Sequence, residues 1–298
     1  AGSGISKLVI GVSGGLDSTL ALLVSVRALE KAGLPSENLI AVTMPGFGTS
    51  GRTYGNALAL IDKLGARRME ISIKEACIQH YRDIGLPQDD RSTAYENAQA
   101  RERTQILMDI GNKESALMVG TGDMSEAALG WCTYGGDQIA GYNVNICLTK
   151  GLVREVCAIL AAREEFPDIA DVLDDILDTP VSPELLPASD NGEITQCSED
   201  ILGPYELHDF FLYYLIGYGM RPTKIYHYAC IAFAGSYTAE YVRDRLIFFL
   251  KRFCAAQFKR SCETDSAAIL TPNLTGNGFA FPSDIGAEAM IAQLMGEQ

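Results

Sequence analysis

The sequence predicts an α/β protein: a doubly wound parallel five-stranded sheet with helices on both faces, followed by a helical C-terminal extension. Three observations carry this. Short apolar runs alternate with longer segments of helical period through the first half of the chain, the order that builds βα units. The first run passes through a glycine turn straight into an apolar-faced helix, "LVIGVSGGLDSTLALLVSVRALEKAG" at 8–33. After about residue 150 the pattern becomes mostly helical.

Taken in order, strands are expected at 8–12, 39–44, 68–73, 116–120 and 144–148. The first helix is expected over 18–31, closed by Gly33 and Pro35, since glycine ends helices and proline cannot continue them. Helices follow over 53–64, ending at Gly65, then over 74–84 and over 93–113, the last rich in Ala, Gln, Glu and Arg. Segment 185–200, "LLPASDNGEITQCSED", is polar and punctuated and reads as a mobile loop. An aromatic-rich stretch at 205–228 and a helix near 236–259 complete the chain. The expected organisation is one unit over 1–298, with a nucleotide-binding core at 1–180 and the mobile loop and helical part at 181–298. Ligands of such sheets sit beyond the carboxyl ends of the strands, so chemistry is sought in the loops that follow them.

Composition removes several classes of function. The 298 residues are 47% apolar and 21% charged, ordinary for a globular chain. A net charge of −14 opposes extended binding to nucleic acid or anionic membrane, so neither is an expected partner. Any phosphate must be held by local devices. Eight cysteines occur without a C-x-x-C pair, which suggests neither a zinc ribbon nor a disulfide framework. They read as thiols of a reducing cytosol, and a cytoplasmic location is expected. No apolar run approaches the roughly 20 residues of a membrane span, and the N-terminus has no signal-peptide pattern. His80, His208 and His227 read as structural or surface histidines.

The turn after the first strand holds Ser13, Gly14, Gly15, Leu16, Asp17, Ser18 and Thr19. A Walker loop would carry a lysine for the outer phosphates of a nucleotide. Here two glycines allow close backbone approach, the Ser13, Ser18 and Thr19 hydroxyls donate, and the following helix adds its N-terminus. Asp17 would repel a bare phosphate, so its presence calls for a bridging cation, most simply Mg2+. The set suits a magnesium-bound pyrophosphate held as a unit, as when ATP is cut between its α and β phosphates.

At S-G-G-x-D-S the sequence resembles the N-type ATP pyrophosphatase family, whose fold is adenine nucleotide alpha hydrolase-like. Four further stretches narrow the resemblance: "TMPGFGTSGRTYGNA" at 43–57, "YENAQARERTQILMD" at 95–109, "VGTGDMSEAALGWCTYGGDQ" at 119–138 and "FKRS" at 258–261. Together they look like the synthetase domain of a glutamine-dependent NAD synthetase. The resemblance implies ATP as co-substrate and Mg2+ as cofactor. It also implies a two-step reaction, in which the nicotinate carboxylate of deamido-NAD is adenylated and ammonia then displaces AMP. Catalytic roles fall to Asp17, Glu126 and Lys150, with Asp17 and Glu126 as metal ligands. ATP contacts fall to Gly11, Val12, Ser13, Gly14, Gly15, Leu16, Asp17, Ser18, Thr121 and Lys150. Deamido-NAD contacts fall to Asn97, Arg101, Glu126, Trp131, Cys132, Thr133, Tyr134, Asp137 and Lys259. The family also implies a homodimer, with the 205–228 stretch offering apolar surface.

The synthetase pattern begins within the first ten residues, which leaves no room for the N-terminal amidase domain of the glutamine-dependent members. "AGSG" also reads like a cut end. The expectation is an excised domain that uses free ammonia, whereas the full-length parent draws on glutamine through its glutaminase domain. Two alternatives stay open on the sequence: another ligase of the pyrophosphatase type, such as one resembling GMP synthetase, and a non-catalytic nucleotide sensor. The W-C-T-Y run speaks against the first, and the pairing of Asp17 with Glu126 against the second.

Overall fold

The computed structural model describes residues 4–296 except 88, 164, 183–184, 187–196, 271–272 and 275–280. Through its first half β1 (Lys7–Gly11), α1 (Leu16–Lys31), β2 (Leu39–Thr43), α2 (Gly51–Lys63), β3 (Arg67–Glu70), α3 (Lys74–Asp83), α4 (Thr93–Glu114), β4 (Ala116–Gly120), α5 (Met124–Leu129) and β5 (Tyr142–Asn143) follow in turn. The sheet has the order β3-β2-β1-β4-β5, and every pairing is parallel. Neighbouring strand residues point to opposite faces, and both faces are dry. Ile10, Ala41 and Val119 pack with α1, α2 and later helices; Val9, Ile40, Val42 and Met118 pack with Ile73, Tyr81, Tyr95 and Leu107 from the other side. The strand order reverses between β1 and β4, which opens a crevice where the loops after them part.

The second half is helical: α6 (Lys150–Ala162), α7 (Ala170–Leu177), α8 (Ser198–Leu202), α9 (Tyr205–Leu212), α10 (Pro222–Ala232), α11 (Ala239–Ala255), α12 (Gln257–Arg260) and α13 (Glu288–Met295). Helices α6 and α7 complete the first face of the sheet. Helices α8, α9, α10, α11 and α13 build a separate core around Phe211, Leu246, Phe249 and Phe253, and they take Met124, Ala128 and Leu129 of α5 into it. Helix α5 is therefore packed into this aromatic layer, with α6 also against it. No helix among the described residues is long and apolar enough to cross a membrane.

Two sequence expectations need correction. The fifth strand is Tyr142–Asn143, not 144–148. The apolar run Ile146, Cys147 and Leu148 is buried as expected, but in a turn closed by Leu148 N–H donating to Asn145 O. A fully buried turn and a buried strand have the same apolar signature. The helix expected near 236–259 starts at Ala239, where the Thr238 side chain caps the Tyr241 amide, and it breaks at Ala256 before α12. Of the expected mobile loop, 187–196 lies outside the described residues, and its end forms α8.

Candidate functional site

The loop after β1 turns at Gly14, whose φ of +84° suits glycine. A Cβ there would also lie 1.9 Å from Thr53 O, so only glycine lets the loop rest on α2. Ser13 and Ser18 hold the loop shut through their hydroxyls, 3.0 Å apart, and the Gly15 amide donates to Ser13 Oγ. Thr19, expected to reach a phosphate, is fully buried and donates to Gly15 O instead. Asp17 falls in the first turn of α1, at the mouth of the crevice.

Across the crevice the loop after β4 runs Thr121, Gly122, Asp123 into α5. Asp123 is the N-cap, and its pairing with Glu126 is a capping box. Asp123 Oδ1 accepts from the Glu126 amide at 2.8 Å, and Glu126 Oε2 accepts from the Asp123 amide at 3.3 Å. One oxygen of each carboxylate is thus committed to the backbone, and the other is turned toward the crevice. Those free oxygens meet Lys150, the first residue of α6. Its Nζ lies 2.6 Å from Asp17 Oδ2, 2.8 Å from Asp123 Oδ2 and 2.9 Å from Glu126 Oε1. The Asp17 and Glu126 contacts are hydrogen bonds. Asp123 Oδ2 is near enough for an ion pair but lacks hydrogen-bond alignment.

Burial sets the electrostatics. It pushes the Asp123 carboxyl well above the usual range, against the pull of Lys150. Burial likewise raises Glu126 to about 7, the lysine opposing and Asp17 adding repulsion. For Lys150 burial works against its charge, but the three carboxylates outweigh it and hold the ammonium more firmly than usual. Three carboxylates around a single cation leave an excess of negative charge. Asp17 Oδ1 and Asp123 Oδ2 are buried without a hydrogen-bond partner, and one ligand atom from each of Asp17, Asp123 and Glu126 lies within 4.8 Å of the others. Hard oxygens converging in this way fit a hard divalent cation.

The two walls of the crevice are tied by Asn145, which is fully buried. Its Nδ2 donates to Asp17 O at 2.8 Å and to Thr121 O at 3.0 Å, linking the loops after β1 and β4.

The residues expected to hold a second substrate form a connected group. Thr133 donates through Oγ1 to Asn97 Oδ1 at 2.9 Å and through its amide to Asp137 Oδ1 at 2.7 Å. Arg101 donates to Tyr134 O. Lys259 donates to Gly130 O and Cys132 O at 2.8 and 2.6 Å, so it holds the turn that follows α5. Trp131 donates from its indole to Ser198 Oγ, and the Arg252 guanidinium stands 5.6 Å from its ring centre. The Cys132 thiol is pushed far above its usual range, first by burial and then by Asp137. It packs there as a neutral group.

Several residues of this arrangement escape a reading of the sequence. Asp123 had a signal, the D-x-x-E spacing just past an apolar strand. Asn145 and Tyr205 had none, because each acts through chain segments distant in sequence, and Arg260, though inside the "FKRS" stretch, was given no role there. The Tyr205 ring lies 5.7 Å from Lys150 Nζ. Arg260 is buried and donates to Ala127 O and Ala128 O at the carboxyl end of α5. With Lys259, and with Arg252 donating to Leu129 O, three cations neutralise the exposed carbonyls of that short helix.

The family model described as NAD synthase matches residues 1–234. The glutamine-dependent NAD(+) synthetase of Mycobacterium leprae is 37% identical over 97% of this chain, which covers 46% of that protein. The chain thus spans about half the length of such relatives. The NH(3)-dependent NAD(+) synthetase of Hyperthermus butylicus is 34% identical over 74% of this chain and 72% of its own. Among solved structures, a glutamine-dependent NAD(+) synthetase from Cytophaga hutchinsonii superposes with a TM-score of 0.77 at 19% identity. That match covers 98% of this chain and 53% of the other, a likeness of fold. With the family match over most of its length, the chain belongs to the NAD synthase family.

Proposed function

We propose that the chain converts deamido-NAD to NAD+, using ATP and ammonia and releasing AMP and pyrophosphate. The observation that carries the reading is the meeting of Asp17, Asp123, Glu126 and Lys150 at the sheet's switch point, beside the linked Asn97, Thr133 and Asp137. In the first step a carboxylate oxygen of the nicotinate bonds to the α-phosphorus of ATP as the bond to pyrophosphate breaks. In the second the nitrogen lone pair of ammonia bonds to the acyl carbon, AMP leaves with the ester oxygen, and a proton passes to solvent.

The loop Gly11–Ser18 with Thr121 receives the phosphates, its backbone amides and the α1 N-terminus supplying positive potential. Asp17, Asp123 and Glu126 would hold Mg2+; when bound, it supplies charge neutralisation for the pyrophosphate and the phosphorus under attack. Lys150 balances the carboxylates and offers its ammonium to phosphate oxygens. Asn97, Arg101, Trp131, Cys132, Thr133, Tyr134, Asp137 and Lys259 line the deamido-NAD site. Their mutual hydrogen bonds keep its shape before substrate arrives, which lowers the ordering cost of binding.

The unit works as one synthetase module, a cytoplasmic homodimer in which exposed Tyr213, Tyr218 and Ile231 supply apolar surface. Light scattering tests the dimer. Ammonia is the nitrogen nucleophile of the second step. Asp17→Ala tests the metal assignment: turnover should vanish at every magnesium concentration while the circular dichroism spectrum is kept. Activity with unchanged magnesium dependence would exclude the role.

A further inference from the structure

The side chain of Lys150 sits among carboxylates, and its backbone is held just as firmly by residues given no role above. As the first residues of α6, Lys150 and Gly151 carry amides with no partner inside the helix. The Lys150 amide donates to Ser125 Oγ at 2.9 Å. The Gly151 amide donates to Asp209 Oδ2 at 2.9 Å. Ser125 Oγ in turn donates to Asp209 Oδ1.

The order of these bonds matters. Because the Ser125 hydroxyl donates its hydrogen bond to the Asp209 carboxylate, the serine oxygen is left to accept from the Lys150 amide. Ser125 and Glu126 are neighbours in α5, and they grip the two ends of one residue: Ser125 holds the Lys150 amide and Glu126 its ammonium. A Cβ on Gly151 would come within 2.9 Å of Asp209 Oδ2, so the glycine leaves room for the carboxylate. Asp209 also places a negative charge at the N-terminus of α6, where the helix dipole favours it.

We infer that Ser125, Gly151 and Asp209 form a positioning unit for Lys150, through which α9 of the helical layer sets where the ammonium stands in the site. For turnover this rests on the function proposed above; for the placement of Lys150 it does not, so two readouts separate them. The first is acetylation of intact protein with acetic anhydride, followed by peptide mass spectrometry of Lys150. The second is kcat and KM for NAD+ formation.

Lys150, only 3% exposed, should be protected in the wild type. In Ser125→Ala and in Gly151→Ala it should acetylate at least fivefold faster. The glycine variant deletes no polar group and improves helix propensity, so it serves where the serine variant folds poorly. In both, kcat should fall at least tenfold with KM for deamido-NAD within twofold. Acetylation of Lys150 within twofold of wild type in folded variants overturns the inference, whatever the chain's activity. So does a lowered Tm with unchanged kcat, which marks a purely structural role. A wild type that makes no NAD+ but protects Lys150, with faster labelling in the variants, refutes the proposed reaction and leaves the positioning unit standing.

Discussion

Lys150→Met removes the cation that the described residues place in the carboxylate cluster and keeps most of the side-chain volume. At an effective permittivity of about 20, a unit charge pair at the 2.6–2.9 Å separations of Nζ is worth about 6 kcal/mol each. Proton uptake opposes this: with the lysine gone, the already raised Asp123 and Glu126 carboxyls keep their protons to higher pH and so escape part of the uncompensated charge. Desolvation of the ammonium takes back several kcal/mol more. The surplus falls near the 3–5 kcal/mol typical for breaking a buried charge pair. At roughly 2 °C per kcal/mol for a chain of this size, Tm should drop by about 6–10 °C at pH 8.

The pH dependence has a definite sign. In the wild type Glu126 is already raised to about 7 from 4.5, and Asp123 is raised as well. Removing the lysine raises both further. A carboxyl whose folded pKa exceeds its unfolded value favours the folded state at low pH, and that favour is lost as pH climbs toward the folded value. The deficit of Lys150→Met should therefore shrink as pH falls from 8 to 5. Differential scanning calorimetry in a chelator-treated buffer measures it. A drop under about 2 °C at pH 8, or a deficit that grows in acid, would refute the electrostatic reasoning.

Other perturbations follow from the same structure. His208 is buried, its Nε2 2.8 Å from Leu202 O, and burial holds its pKa down to about 4. Its contribution is complete above pH 6.5 and is lost as pH falls toward 4, on the order of 3 kcal/mol in all. His208→Gln should flatten that limb in urea titrations at pH 7, 5.5 and 4.5; an unchanged slope counts against it. Arg260→Met frees the Ala127 and Ala128 carbonyls, and its other donor bonds to Phe253 O and Gln257 Oε1 are also lost. A loss of roughly 3 kcal/mol is expected, with little rescue by lysine, which lacks the planar fork. Equal stability for Arg260→Lys and wild type would contradict this. Gly14→Ala should cost nucleotide binding and lower Tm by about 6 °C or more, since both its φ and Thr53 O oppose a Cβ. Calorimetric binding of ATP with wild-type affinity would exclude that view of the loop.

Much of this architecture was legible in the sequence because its signals are local. A strand, two glycines and an amphipathic helix occupy one stretch, so the loop after β1 and the place of Asp17 could be read directly. The long motifs at 95–109 and 119–138 marked Asn97, Arg101, Glu126 and the Trp131–Tyr134 turn through resemblance, and the structure joins these by hydrogen bonds. What escaped depends on convergence in space. Asn145 sits in an apolar run that reads as a strand, yet its amide bridges Asp17 and Thr121. Asp209 lies 84 residues from Ser125 in sequence, and Arg260 lies 133 residues from Ala127. No periodicity reports such pairs. Asp123 looked like a helix cap, which it is; that its second oxygen also faces Lys150 follows only from the packing of α6 against α5.

The most direct test of the proposed reaction is to incubate the chain with ATP, Mg2+ and deamido-NAD, with ammonium or glutamine as nitrogen donor in separate reactions, and to follow pyrophosphate and NAD+. Stoichiometric pyrophosphate and NAD+ with ammonium is the expected result. ATP binding without pyrophosphate release in the presence of deamido-NAD would contradict the synthetase reading and leave a nucleotide-binding protein built on a synthetase fold.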